Sequence, residues 1–239
     1  MRVTGVIVAV ILSVCPRPLV AAEWIEYKNT RDRFGLYTPG EPTAEAMMWK
    51  SEYDSMFPGM VYRWQDGASR YSMTVIDFSD SEAIFNARPH SIDFQAAAYW
   101  QIDILGSVQY VATQYRNRPG VKTTFDAFHY INLVVGHQLQ QLNPDGSRTF
   151  VALYLHENRL YALDATVAKG QPAPIAFQQS LEFLDEAGKA VRYRAYYYNR
   201  LPEPKMTRRN ADPGAGVAGT ANPSQGAGAP TPQGPERTR

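Results

Sequence analysis

TFDAFHYINLVVGHQLQQLNPDGSRTFVALYLHENRLYALDATV, Thr124 to Val167, is the stretch that decides the fold. Apolar residues recur in it at every second position, the period of a half-buried β-strand. Asn143-Pro144-Asp145-Gly146 interrupts the pattern. Its proline presets φ and its glycine accepts a left-handed backbone, which together signal a hairpin. After the turn, RTFVALYLH reads as a strand and Asn158 as a second turn. RLYALDATV is then a further strand, with Tyr161, Leu163, Ala165 and Val167 on one face. Before the turn, TFDAFHYINLVVGHQLQQL reads as one long strand with Ile131, Leu133 and Val135 on one face. Long strands joined by tight turns pair antiparallel.

The same alternation continues outward on the N-terminal side. FGLYTPGEP is a short strand ending at Pro39-Gly40. AEAMMWKSEY and MVYRWQDG are the next two strands, separated by FPG, and Asp66-Gly67 turns the chain into SRYSMTVIDFS. The segment that follows has a helical period. Pro89 breaks the chain, Ser91 is placed to cap, and Ile92, Ala96, Tyr99 and Ile102 form a stripe widened by Phe94, Ala98 and Leu105. On the C-terminal side, PAPIAFQQSLEFLDEAG reads as a second helix with Phe177, Leu181 and Leu184 as its stripe and Gly188 as its stop. VRYRAYYYNR, Val191 to Arg200, is then a final strand. The order strands, helix, strands, helix, strand predicts an α+β fold. Its sheet is mainly antiparallel, of about six or more strands, with two covering helices.

Taken together, FGLYTPGEP at the start, YSMTVIDFS before the first helix and RLYALDATVAKGQPAPIAFQQSLEFLD near the end resemble bacterial exported proteins of the PsbP/Mog1-like α/β/α sandwich type. The resemblance covers most of Trp24 to Tyr198. It implies a binding or accessory module rather than an enzyme, since that type includes photosystem extrinsic subunits and a GTPase-binding factor. The partners of those proteins do not transfer, because their contact residues have no matched positions here.

Composition sets further bounds. The chain has 239 residues, 44% of them hydrophobic and 20% charged, with a formal charge of +1. A dedicated nucleic-acid binder carries a large basic excess, so nucleic acid is disfavoured as a partner. The first residues differ from the rest. Arg2 precedes the apolar run Val6 to Val14, which is too short for a bilayer span of about 20 residues, and Leu19-Val20-Ala21-Ala22 ends in small residues. These features predict a signal peptide over residues 1–22, cleaved after Ala22, and a periplasmic or secreted protein without a transmembrane span once it is removed. A lipoprotein attached through Cys15 is the alternative, weakened by Val14 where a lipobox carries Gly, Ala or Ser. Cys15 is the only cysteine, so the processed chain would have no disulfide, thiol nucleophile or thiolate metal site. No N-x-S/T acceptor occurs, Asn222 being followed by proline, which points to a bacterial envelope. Residues 23–201 form the single expected domain. Residues 202–239, rich in Pro, Gly and Ala, bury too little apolar surface to offset the entropy of ordering and are expected to be disordered.

Motifs for catalysis and cofactors are missing from the sequence. There is no H-E-x-x-H, no G-x-S-x-G and no S-x-x-K, and Gly214 to Gly219 lies in the tail without strand or helix context. His129 and His137 would stand about 26 Å apart on one strand at about 3.3 Å per residue, so they cannot share a metal. His90 and His156 lie elsewhere. No catalytic residue, metal or cofactor is expected. The candidate binding residues are Arg192, Arg194, Tyr196 and Tyr198, which alternate to one side of the last strand. Arginine and tyrosine combine contact area with polar reach. Against this, tyrosines favour strands and arginines protect sheet edges. Asp77 and Asp164 sit in apolar strands, and Asp103 in the first helix; a carboxylate there must be paired or solvated. The favoured expectation is a non-catalytic binding or accessory protein acting through its sheet face, edge or loops on an envelope protein or cell-wall component. The alternative is a small-molecule or lipid carrier, or a small hydrolase, with a polar pocket near Asp77 or Asp164.

Overall fold

Ten strands and three helices make up residues 23–88 and 99–202, the part of the chain that the computed structural model describes. The leader expected over residues 1–22 lies outside the described residues. So do the helix start expected from Pro89 through Ser91 to Ala98, His90 included, and the tail beyond Pro202. In chain order the elements are β1 (Trp24–Asn29), β2 (Phe34–Pro39), β3 (Thr43–Lys50), β4 (Met56–Asp66), β5 (Ser69–Asp77), α1 (Ser81–Asn86) and α2 (Tyr99–Arg116). Then come β6 (Lys122–Ile131), β7 (Val134–Leu142), β8 (Arg148–His156), β9 (Arg159–Val167), α3 (Ile175–Gln179) and β10 (Glu182–Phe183). Seven strands form one antiparallel sheet in the order β3-β4-β5-β9-β8-β7-β6, and β1-β2-β10 form a small second sheet. The fold is α+β, as the alternation predicts.

Period-two alternation gives the large sheet two apolar faces. On one face Met73, Val75, Tyr154, Tyr161 and Leu163 pack with Phe34 and Leu36 of β2, Phe177 of α3 and Phe183 of β10. On the other, Ile76, Val151, Leu153 and Leu160 pack with Trp100, Ile104, Val111 and Ala112 of α2 and Phe85 of α1. The layers are therefore helices, seven-stranded sheet, and small sheet with α3.

The turns at Asn143–Gly146 and Asp66-Gly67 fall where the sequence places them. Gly146 and Gly67 both take positive φ. Gly136 is required for a different reason: a Cβ there would lie 2.1 Å from the Leu153 carbonyl oxygen and 2.3 Å from the Tyr154 ring.

Several expectations are corrected. The long strand before NPDG is two strands, β6 and β7, joined by a turn at Asn132 and Leu133 with φ of 49° and 64°. Nothing marks Leu133 as a turn residue, because non-glycine residues other than Asn and Asp seldom take that conformation. FPG lies inside β4 rather than between strands; the turn is Ser51–Ser55, and the ladder of β4 with β5 starts at Gly59, just past Pro58. On α2, Ile102 and Leu105 are exposed, and the buried face runs through Trp100, Ile104, Ser107 and Val111. The second helix stops at Gln179. Ser180 Oγ accepts the Tyr37 N–H, and Glu182-Phe183 then pairs with Gly35 and Phe34 on an open edge of β2. Phe177, Leu181 and Leu184 are buried all the same. Finally, Val191 to Arg200 is not a strand: it touches the ladders only at isolated points.

Candidate functional site

Side chains, not a ladder, hold Val191 to Arg200 in place. Tyr193 and Tyr197 turn inward and stack on each other with ring centroids 4.6 Å apart. Their anchor is His156, which is fully buried at the end of β8. Its ring lies flat on Phe183 at 4.4 Å, and its Nε2 meets the Tyr193 hydroxyl at 2.7 Å. Burial pushes the His156 pKa down to about 4, assisted by the nearby Arg159 and Arg33 charges. Burial likewise pushes Tyr193 up to about 12. The β8–β9 turn supplies the remaining contacts. Glu157 N–H donates to the Tyr197 hydroxyl at 3.1 Å, and Asn158 and Asn199 exchange hydrogen bonds at 2.8 Å. The backbone meets the β6–β7 hairpin at Tyr197, whose N–H donates to the Leu133 carbonyl at 2.8 Å and whose carbonyl accepts the Val135 N–H of β7 at 3.4 Å.

With Tyr193 and Tyr197 turned inward, the four candidate residues of this stretch are exposed. Arg192 is engaged with Glu182 at 2.5 Å. Tyr196 reaches Tyr130 of β6 in an edge-to-face contact at 5.3 Å. That contact joins the stretch to an aromatic row the sequence reading missed. β6 ends the seven-stranded sheet, and Phe128 and Tyr130 are exposed on one of its faces, Phe128 to 80%, with Phe125 exposed on the other. Tyr196 and Tyr198 are exposed to 52% and 70%. Of the exposed large aromatics among the described residues, only Tyr37 lies away from β6 and this stretch. The signal was present in TFDAFHYI, but reading it as the middle of a longer strand hid that it is an edge.

Beneath the row lies a charged clasp. Arg116 at the end of α2 grips Asp126 of β6 at 2.6 and 2.9 Å, and His137 Nε2 of β7 meets the same carboxylate at 2.5 Å. The Arg116 hydrogen bond, ahead of the cost of burial and the His137 contact, holds Asp126 down at about 2. The other ring nitrogen of His137 faces the Gln109 amide at 3.4 Å. Both nitrogens are thereby committed, and the cluster ties helix to edge. The hairpin also corrects the spacing of the histidines. Phe128 pairs with His137 and His129 with Gly136, so His129 and His137 are close in space, but on opposite faces. His129 faces the Tyr154 hydroxyl at 2.9 Å.

Asp77 and Asp164 do not share a pocket. Asp77 pairs with Arg159 and Asp164 with Ser72, five residues apart along β9 and on opposite faces. Asp77 accepts the Ser79 N–H and hydroxyl at 2.9 and 2.6 Å, with Arg159 at 3.5 Å. Asp164 faces α2 in a groove of about 460 Å³ between that helix and β3, β4, β5 and β9. It accepts the Tyr115 hydroxyl at 2.8 Å and lies 3.7 Å from Arg118, whose guanidinium stacks on the Tyr115 ring at 3.8 Å. Burial raises the Asp164 pKa; the Tyr115 and Arg118 contacts pull the other way. Met47, Trp49, Val61 and Val111 make the other end of the groove apolar. Asp103 is structural. Buried on α2, it accepts the Ser51 hydroxyl at 2.8 Å and the Tyr53 N–H at 3.3 Å, holding the β3–β4 turn, and burial raises its pKa.

No family model matches the sequence, and no curated protein is similar to it. Among solved structures, the chain is similar to the solution structure of cyanobacterial PsbP (CyanoP) from a Synechocystis species. The identity is 11% and the TM-score 0.40, covering 72% of this chain and 98% of that one. The α+β assignment rests on the chain's own sheets and helices. No helix among the described residues is long and apolar enough to cross a membrane.

Proposed function

We propose that the protein is a non-catalytic binding module of the bacterial envelope, exported by its N-terminal segment, which captures another envelope protein along edge strand β6. The observation that carries this reading is the exposed pair Phe128 and Tyr130 on one face of a terminal strand, extended by Tyr196. A terminal strand offers unpaired backbone donors and acceptors to an extended polypeptide, and alternate side-chain contacts select it. Aromatics with nearby arginines are the residue types that dominate such interfaces. The backbone edge favours a polypeptide over a glycan, which has no strand to add. A photo-crosslinker placed at Phe128 should yield one dominant protein adduct in living cells. The same group at Leu105, exposed on α2, should not. Equal adduct patterns from both positions would refute the reading.

The carrier reading keeps one specific support, the groove at Asp164 with its apolar end at Trp49 and polar end at Tyr115 and Arg118. It predicts a co-purified small molecule in a native mass spectrum, lost in Trp49→Ala. An unliganded mass for protein purified from its native host would refute it.

A further inference from the structure

The groove at Asp164 continues past the end of α2. Arg63, Ser72 and Asp164 also line a second hollow of about 640 Å³, to which α2 contributes no residue. β5 runs along the shared floor. Ile76, Thr74, Ser72 and Arg70 alternate on it and so face one side of the sheet, and Ile76 to Arg70 is about 20 Å at about 3.3 Å per residue. The chemistry changes in order along that line. Ile76 pairs with Leu160 at the apolar end, near Trp49 and Val111. Ser72 stands between Arg63 of β4 and Asp164 of β9. Arg70, between Gln65 and Thr166, comes last. Three guanidiniums, Arg63, Arg70 and Arg118, and three carboxylates, Glu41, Glu45 and Asp164, line the whole trough. Arg63 pairs with Glu45 at 2.7 Å, and Arg118 lies 3.7 Å from Asp164. Arg70 and Glu41 are exposed in the polar hollow and form no ion pair among the described residues.

We propose that this trough binds a single-chain zwitterionic amphiphile, a lysophospholipid whose head carries one phosphate and one ammonium; the proposal rests on the carrier reading of the groove. The acyl chain lies over Met47, Trp49, Val61 and Ile76, where apolar side chains of sheet and helix meet. One such groove suits one chain rather than two. The phosphate takes Arg70, the guanidinium left without a carboxylate, because guanidinium matches phosphate oxygens in pairs. Arg63 is the diagonal neighbour of Arg70 across β4 and β5, about 7–8 Å away and within reach of the same phosphate. The ammonium takes Glu41. Charge balance selects this head group. A fatty acid or an anionic phospholipid satisfies Arg70 but sets a negative charge near Glu41 with nothing to pair it, and like charges brought together oppose binding.

The test is calorimetric titration of the full chain with lauroyl lysophosphatidylethanolamine below its micelle concentration, beside lauroyl lysophosphatidylglycerol, lauric acid and free phosphoethanolamine. The zwitterionic lysolipid should bind saturably and about tenfold or more tighter than each of the other three. Arg70→Gln and Glu41→Gln change exposed side chains and should leave the fold intact. Arg70→Gln should weaken the zwitterionic lysolipid about tenfold. Glu41→Gln should abolish the preference for it over the phosphoglycerol lysolipid, by weakening the first and strengthening the second. Trp49→Ala should weaken both lysolipids alike. Lysolipids that bind with equal affinity whatever the head group, or a preference that survives Glu41→Gln, would overturn the proposal and leave the carrier reading standing. Binding of no amphiphile at all would overturn both.

Discussion

Lowering the pH should unlock the C-terminal stretch through one residue. His156 is held neutral in the fold with a pKa of about 4, against 6.5 in an unfolded chain. A depressed folded-state pKa means that the unfolded chain binds the proton first. The stabilisation is complete above 6.5 and is lost as the pH falls from 6.5 through 4. Between pH 7 and pH 4.5 the linkage amounts to about 2.5 kcal/mol, a large share of the roughly 5–15 kcal/mol that holds a domain together. Asp103 and Asp164 act in the opposite sense. Their raised pKa values make the folded state the better proton acceptor, so a single pH profile mixes the terms. The comparison with His156→Gln separates them, because glutamine is neutral throughout and can still reach the Tyr193 hydroxyl. Urea unfolding of both proteins at pH 7 and pH 4.5 should show wild type losing about 2.5 kcal/mol more than the variant. Equal losses would refute the argument that burial holds this ring neutral.

Three further outcomes follow from the packing. Gly136→Ala forces a methyl group into the Leu153 carbonyl and the Tyr154 ring and should cost more than about 3 kcal/mol, read as loss of soluble folded protein or a large fall in urea midpoint. Tyr115→Phe removes the hydroxyl that serves Asp164 and should cost about 1–3 kcal/mol at pH 7. That cost should shrink in acid as Asp164 takes up a proton, measured by urea unfolding at both pH values. Asp103→Ala leaves the Ser51 hydroxyl and the Tyr53 N–H without their acceptor and should cost about 2 kcal/mol, with faster amide exchange in residues 51–55 than elsewhere.

What could be read from the sequence follows from how local each signal is. Asp66-Gly67 and Asn143–Gly146 carry their own turn chemistry, and β9 shows its buried face as Tyr161, Leu163, Ala165 and Val167. The Asn132-Leu133 turn was hidden because its second residue is a leucine held at positive φ. The Tyr197 N–H on its carbonyl is supplied from 64 positions along the chain, by a segment the sequence cannot place there. That omission also concealed edge strand β6 and put His129 and His137 far apart. In the second helix the buried set Phe177, Leu181 and Leu184 was right while the conformation was not, since β2 offers an open edge that helical periodicity does not register. Arg192, Arg194, Tyr196 and Tyr198 are exposed, but so is Ala195, and the pattern comes from two tyrosines seated on His156 rather than from strand pairing. Tyr115 and Arg118 became visible as partners of Asp164 only once α2 lay across the sheet.

The central claim is that aromatic edge β6, with Tyr196 against it, is where the protein meets its partner. Its most direct test is in-cell crosslinking with mass spectrometry on wild type and on a variant carrying Phe128→Ser, Tyr130→Ser, Tyr196→Ser and Tyr198→Ser. The account predicts one dominant envelope protein joined to the wild-type chain and missing from the variant, whose thermal midpoint stays within a few degrees of wild type. A correctly folded variant that crosslinks to the same set of proteins would contradict it.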